Sequence, residues 1–171
     1  MIPLAYPMEF YKTFLEWYIL QTGVKTYLEI GCAGGGLVQR LKPMLDLAVG
    51  VDPGDFEWPE IPGVEWYRCT SDQYFGMPLG TAFDVVLIDG DHSALQVEKD
   101  ARLALERLHA NGLIVMHDTY PPDKDHLSPS ACGTAWEVPY TLRDDLELEV
   151  YTFPVTYGMT LVRRQERPPW L

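Results

Sequence analysis

The chain is expected to form an α/β domain, a parallel sheet covered by helices on both faces in three layers. Two observations carry that expectation. Short runs of β-branched and aliphatic residues alternate with stretches of helical periodicity, which is how strands buried on both faces and their crossover helices read in sequence. A glycine-rich turn, Gly31-Cys32-Ala33-Gly34-Gly35-Gly36, joins the first such run to the first helical stretch after it. Its 171 residues are treated as one domain spanning 1–171, too short for two independent cores.

The elements follow in order. An aromatic helix within residues 1–22 places Phe10, Phe14 and Trp17 on one stripe, which core packing or a dimer interface explains equally well. Strands are expected at Thr26–Ile30, Leu47–Val51, Val64–Arg68, Phe83–Ile88 and Leu113–His117. A helix from Gly35 to Leu41 is stopped by Pro43. The clearest helix starts at Ser93, where Ser93 and Gln96 form a capping box, and ends at Ala110-Asn111-Gly112 as a left-handed stop. Two final strands, Leu148–Phe153 and Met159–Arg163, are joined by the turn Pro154 to Gly158 as an antiparallel hairpin. Residues 119–133, with Pro121, Pro122 and Pro129, are long and irregular enough to form a lid over a site.

Composition narrows the function. With 13 Lys+Arg against 25 Asp+Glu the formal charge is −12, which argues against nucleic acid and anionic membrane surfaces as partners. The three cysteines, Cys32, Cys69 and Cys132, match no zinc or redox spacing and read as reduced thiols of a cytoplasmic protein. The first twenty residues carry Glu9, Lys12 and Glu16 and no basic leader, so neither a secretory signal nor a membrane span is expected there.

The segment TYLEIGCAGGG runs a buried strand into a glycine turn, where the backbone can approach a ligand closely and free N–H groups are on offer. A GxGxxG dinucleotide fingerprint would need glycine at Ala33, whereas Glu29-x-Gly31-x-x-Gly34 fits another nucleotide loop. Asp52, ending LAVGVD 21 residues after Gly31, can accept hydrogen bonds from both hydroxyls of a ribose. A helix-entry turn and a turn cap are the bland alternatives for the glycines and for Asp52. Together they favour an adenosine-type ligand.

LEIGCAGGG, VGVDP and FDVVLIDGDH, in this order and spacing, resemble the class I S-adenosylmethionine-dependent methyltransferases over about Tyr27 to Arg163. IDGDHS, then LIVMHDT and GTAWE, is similar to the macrocin- and catechol-type small-molecule O-methyltransferases. The resemblance implies a Rossmann-like, seven-stranded, mostly parallel sheet of order 3-2-1-4-5-7-6 with an antiparallel C-terminal strand. It implies S-adenosylmethionine as cofactor, with Glu29, Gly31, Cys32, Ala33 and Gly34 at its methionine moiety and Asp52 at its ribose. Ser71 and Asp72 would meet the adenine, and Asp89 and Gly90 complete the binding set.

Many such relatives use a divalent metal. Asp89 ends one strand and His117-Asp118 the next, so their side chains are expected in one crevice. Asp89, His117 and Asp118 are the implied ligands of Mg2+, although His117 stands where metal-dependent relatives carry a carboxylate. His92, three positions after Asp89, stands where catechol-type relatives carry a catalytic lysine; with Asp89 it is the catalytic candidate, or else it packs before the Ser93 cap. Asp91 is a third ligand, an orienter of His92, or a first-turn helix acid. His109 at a helix end and His126 in a solvated charge run read as structural, and Cys32 lacks a paired base.

The expected reaction is metal-assisted O-methylation of a small hydroxylated molecule, a sugar or a phenol. The acceptor is chosen by residues 120–129 and the N-terminal helix, with Trp136 and Tyr157 lining the pocket or buried in the core. Only one helix precedes the first strand, so that pocket is open or completed by a second copy in a homodimer. The alternatives are an NAD-dependent oxidoreductase, disfavoured by Ala33 and by the lack of room for a substrate domain, and a non-catalytic nucleotide-binding module.

Overall fold

The computed structural model describes residues 9–165, so the start of the expected 1–22 segment, before Glu9, lies outside the described residues. Seven strands form one sheet: β1 (Thr26–Ile30), β2 (Leu47–Val51), β3 (Val64–Tyr67), β4 (Phe83–Ile88), β5 (Leu108–His117), β6 (Leu148–Phe153) and β7 (Met159–Arg164). Their order is β3-β2-β1-β4-β5-β7-β6. The first five pair in parallel, and β7 runs antiparallel to both β5 and β6. The seven-stranded Rossmann-like architecture is therefore the one expected.

The helices are α1 (Phe10–Thr22), α2 (Gly36–Leu41), α3 (Ser71–Phe75), α4 (Ala94–Glu106) and α5 (Val138–Arg143). Strand alternation splits the core in two. Leu28, Ile30, Val86 and Ile88 point to the face covered by α3, α4 and α5, where they meet Tyr74, Val97, Ala101 and Leu142. Tyr27, Val85, Leu87 and Val115 point to the other face and pack on Leu15 and Ile19 of α1 and Val38 and Leu41 of α2. None of the described helices is long and apolar enough to cross a membrane.

Three local expectations are corrected. Trp17 is 57% exposed, and α1 buries Tyr11, Leu15 and Ile19 instead of the Phe10-Phe14-Trp17 stripe. The sheet takes the aliphatic stripe and leaves the aromatic one at its margin. Helix α4 ends at Glu106, and Ala110-Asn111-Gly112 belong to β5, beside a shift in its register with β4. Gly112 is required by a close approach: a Cβ there would lie 2.4 Å from Leu108 Cγ. Ser93 accepts from the Gln96 amide, but the Gln96 side chain turns away to Ser71, Asp72 and Asp100; the reciprocal capping box sits at Thr70 and Gln73, opening α3. Helix α2 ends at Leu41 as expected, and Pro43 sits in the 3-10 turn, Lys42–Met44, that follows it.

Candidate active site

Strand order reverses between β1 and β4, and the carboxyl ends of the strands there open a crevice. The loop after β1 is held to its neighbours by backbone bonds: the Gly31 amide donates to Val51 O at 2.8 Å and the Asp89 amide to Ile30 O at 2.9 Å. Gly31 has φ +86°, and a Cβ at that position would fall 2.2 Å from the Asp89 carbonyl oxygen. Glycine is thus dictated both by conformation and by space.

Ala33, where a dinucleotide fingerprint wants glycine, takes left-handed φ +44°. Two side chains hold it there. Asp52 Oδ2 accepts from the Ala33 amide at 2.9 Å, and Trp58 Nε1 donates to the Ala33 carbonyl at 2.7 Å. Asp52 Oδ1 accepts from the Gly54 amide at 2.7 Å. Asp52 therefore organises two loops and keeps a spare lone pair on each oxygen toward the cleft. Trp58, stacked on Trp66 at 5.3 Å, was not singled out by the sequence.

Gly31, Ala33, Asp52, Ser71, Asp72, Asp89 and Gly90 line one cleft of about 680 Å³, and so do Asp91 and His92. Gln96 bridges Ser71 and Asp72 at 3.1 and 3.0 Å, and Lys99 pairs with Asp72 at 2.6 Å, holding that exposed carboxyl below its ordinary range. Glu29, Cys32 and Gly34 lie instead on an adjoining cavity of about 410 Å³, which shares Gly31, Ala33 and Asp89 with the cleft. Burial pushes the Glu29 carboxyl up to about 8, opposed by the hydroxyl of Tyr27, which donates to it at 2.9 Å. Cys32 is pushed up to about 12 by burial and by the nearby Glu29 and Asp52 charges, so it is no thiolate nucleophile.

A third cavity, about 360 Å³, is walled by Asp89, His92, His117 and Asp118 together with His126, Cys132 and Tyr157. His117 Nδ1 lies 3.1 Å from Asp89 Oδ1 and 3.4 Å from Asp118 Oδ1. Burial opposes charge on this ring, yet the two carboxylates outweigh it and raise His117 to about 10. Its Nε2 is buried without a partner. Asp118, despite burial, is held below its ordinary range by His117, and its φ is +59°. Asp118 also lies 3.1 Å from His92 Nε2 and accepts from the Cys132 thiol at 3.6 Å.

Among the described residues, one group of donor atoms lies within 4.8 Å of one another: Asp89, His92 and Asp118. His117 faces the same carboxylates as a hydrogen-bond donor. Asp91 accepts from the Ser93 amide at 2.7 Å and precedes the N-cap Ser93 by two residues, so the first-turn reading is corrected: no acid stands in the first turn of α4. His109 sits on β5 rather than at a helix end and pairs with Asp84 at 2.9 Å. His126, read as part of a solvated run, leans on Tyr157 at 5.1 Å in the cavity wall. Trp136 instead packs edge-on against Tyr140, and only Tyr157 of that pair lines the cavity.

Tyr11, from α1, is the other residue the sequence reading passed over. Its hydroxyl donates to Asp89 Oδ2 at 3.2 Å and its ring lies 4.2 Å from that of His117. The segment 119–133, expected as a lid, starts against the β6–β7 turn, where the Tyr120 amide donates to Tyr157 O at 2.7 Å.

Residues 59–119 match a family model described as a methyltransferase domain. No curated protein matches the sequence. Among solved structures, the chain is similar to an S-adenosylhomocysteine-bound methyltransferase of Podospora anserina, with TM-score 0.71 and 17% identity over 91% of this chain and 78% of that one. An O-methyltransferase of Bacillus cereus in complex with S-adenosylhomocysteine aligns with TM-score 0.67 and 14% identity, covering 96% and 84%. A sugar N-methyltransferase of a Streptoalloteichus species aligns with TM-score 0.67 and 11% identity, covering 94% and 89%. The matched segment and the shared architecture agree with the class I methyltransferase fold that LEIGCAGGG, VGVDP and FDVVLIDGDH resemble.

Proposed function

We propose that this chain, built on the class I methyltransferase fold, transfers a methyl group from S-adenosylmethionine to the oxygen of a small hydroxylated molecule, a sugar or a phenol. One observation carries the reading: His92 and Asp89 each line both the 680 Å³ cleft and the 360 Å³ cavity, so a donor in one and an acceptor in the other would meet at these two side chains. Asp52, Ser71 and Asp72 would bind the nucleoside, and the loop from Gly31 to Gly34, with Glu29, the methionine tail.

The residues present fit a divalent ion, because carboxylate oxygens of Asp89 and Asp118 converge within 4.8 Å. Held by Asp89 and Asp118, Mg2+ would lower the pKa of an acceptor hydroxyl and place its oxygen. His92, with Nε2 3.1 Å from the Asp118 carboxylate, would take the hydroxyl proton, and that carboxylate would stabilise the imidazolium formed. The acceptor oxygen then bonds to the methyl carbon and the C–S bond breaks, its electrons going to sulfur. His117 keeps the two carboxylates together, and Tyr11 caps the outer oxygen of Asp89. Alignment of donor and acceptor supplies most of the acceleration, since oriented groups reach effective molarities of about 10⁵ M.

The odd, unpaired cysteines favour a cytoplasmic site of action, and a second copy completing the acceptor pocket is the assembly we favour. Calorimetry of the purified protein with S-adenosylmethionine and with NAD tests the reading: binding of the first alone is expected, and binding of NAD alone overturns it. Methylation of a panel of phenols and sugars with and without EDTA tests the metal, and turnover that EDTA leaves intact removes it.

A further inference from the structure

The 410 Å³ cavity behind the glycine loop carries acids that suit an ammonium group: Glu29, buried at its base, and Asp89. A methionine tail also brings a carboxylate, which would be repelled there unless a cation faced it. Two cations line the cavity among the described residues, Lys12 and Arg40. Arg40 is already committed. Its guanidinium holds both oxygens of Glu16 at 2.6 and 2.5 Å, tying α2 to α1, with Glu9 a further 3.8 Å away. Two of its five donors are engaged, and a ligand carboxylate would have to compete with Glu16 and Glu9 for the same charge.

Lys12 differs. Its ammonium has three donors and one carboxylate partner, Glu9 at 3.0 Å, an exposed residue three positions earlier on the same helix. Such a contact is worth little and exchanges readily. The charge is nonetheless felt inside the cavity, because Lys12 lowers the pKa of Glu29 against the effect of burial. Lys12 follows Tyr11, whose hydroxyl is bonded to Asp89, so the start of α1 is tied to the end of β4 and lines the same cavity as the glycine loop.

We infer that Lys12 binds the α-carboxylate of S-adenosylmethionine, selecting a cofactor that carries an intact amino-acid tail. The inference rests on the methyltransferase reading of the same cleft. The helix preceding β1 thereby becomes part of the cofactor site.

The test crosses a change in the protein with a change in the ligand. S-adenosylmethionine and its decarboxylated form, which keeps the sulfonium and an ammonium, are titrated by calorimetry into wild type, Lys12→Met and Lys12→Arg. Wild type should bind S-adenosylmethionine about 10-fold or more tightly than the decarboxylated form, the scale of a charge-assisted hydrogen bond. Lys12→Met should lose that preference by weakening S-adenosylmethionine alone, and Lys12→Arg should retain most of it. Equal weakening of both ligands, or of neither, overturns the assignment; so does a wild type that binds the two alike, a comparison that needs no variant to fold. If wild type binds neither ligand, the methyltransferase reading itself fails, an outcome distinct from all of these.

Discussion

The hydroxyl of Tyr11 donates to Asp89 Oδ2 at 3.2 Å across 78 residues of sequence, joining the first helix to the end of β4. Both residues line the 410 Å³ cavity behind the glycine loop. Removing only the hydroxyl, in Tyr11→Phe, should lower stability by about 1 kcal/mol and the melting temperature by about 2–4 °C. Tyr11→Ala, which also removes the ring from beside His117, should cost about 3 kcal/mol or more. Equal losses in the two variants would mean that the ring does not pack as described.

His117 stands between two carboxylates, and replacing it with leucine leaves them facing each other. Breaking a buried pair by removing one partner costs about 3–5 kcal/mol, so His117→Leu should melt well below wild type. The damage should exceed that of His109→Leu, whose pair with Asp84 is half exposed. Thermal melts of both variants decide the ranking.

Glu29 links stability to pH. Burial raises its pKa in the fold to about 8 from 4.5, so between those values the native state holds a proton that the unfolded chain releases. The contribution of Glu29 to stability therefore falls as pH rises from about 4.5 to about 8 and is level on either side. Glu29→Gln should abolish that part of the pH dependence in melts across the range. Binding of the cofactor ammonium should also expel the proton near pH 7, which calorimetry in buffers of different ionisation enthalpy measures.

Gly31→Ala should be among the most damaging single-carbon additions. Its φ of +86° strains any other residue, and the added carbon would lie 2.2 Å from backbone at Asp89. Loss of cofactor binding is expected even where the protein still folds, because relief requires the β1 and β4 loops to part. Gly34→Ala, whose added carbon meets nothing within 4 Å, is the control and should fold as wild type does.

His92→Gln should lower kcat by about 10²- to 10⁴-fold, the range of general-base catalysis, with the affinity for S-adenosylmethionine changed less than about twofold. A fall in cofactor affinity matching the fall in turnover would assign His92 to binding instead. Steady-state kinetics beside calorimetry separates the two.

How much of this was legible beforehand follows from the range of the forces involved. Hydrophobic runs and glycine turns are local, so the bounds of β1, β2, β4 and β6, the glycine loop, and the acids at the strand ends could be read directly. Helix α1 misled because it carries two apolar stripes, and only the sheet chose the aliphatic one. The register shift in β5 was hidden for a related reason: Gly112 answers to Leu108 and to the Asp84 carbonyl of the neighbouring strand, not to a helix end.

The sequence by itself determined that a nucleotide-type loop, a ribose-type acid and a cluster of Asp and His would stand at one edge of a parallel sheet, since strand polarity puts every β-to-α turn on the same side. Tertiary structure alone decided the pairings within that cluster. His117 between Asp89 and Asp118, Trp58 on Ala33, Gln96 on Ser71 and Asp72, and Tyr11 on Asp89 join residues distant in sequence or on separate elements. Such partners are selected by which side chains reach the same few ångströms of crevice once the core has set the helices, and no local pattern encodes that distance.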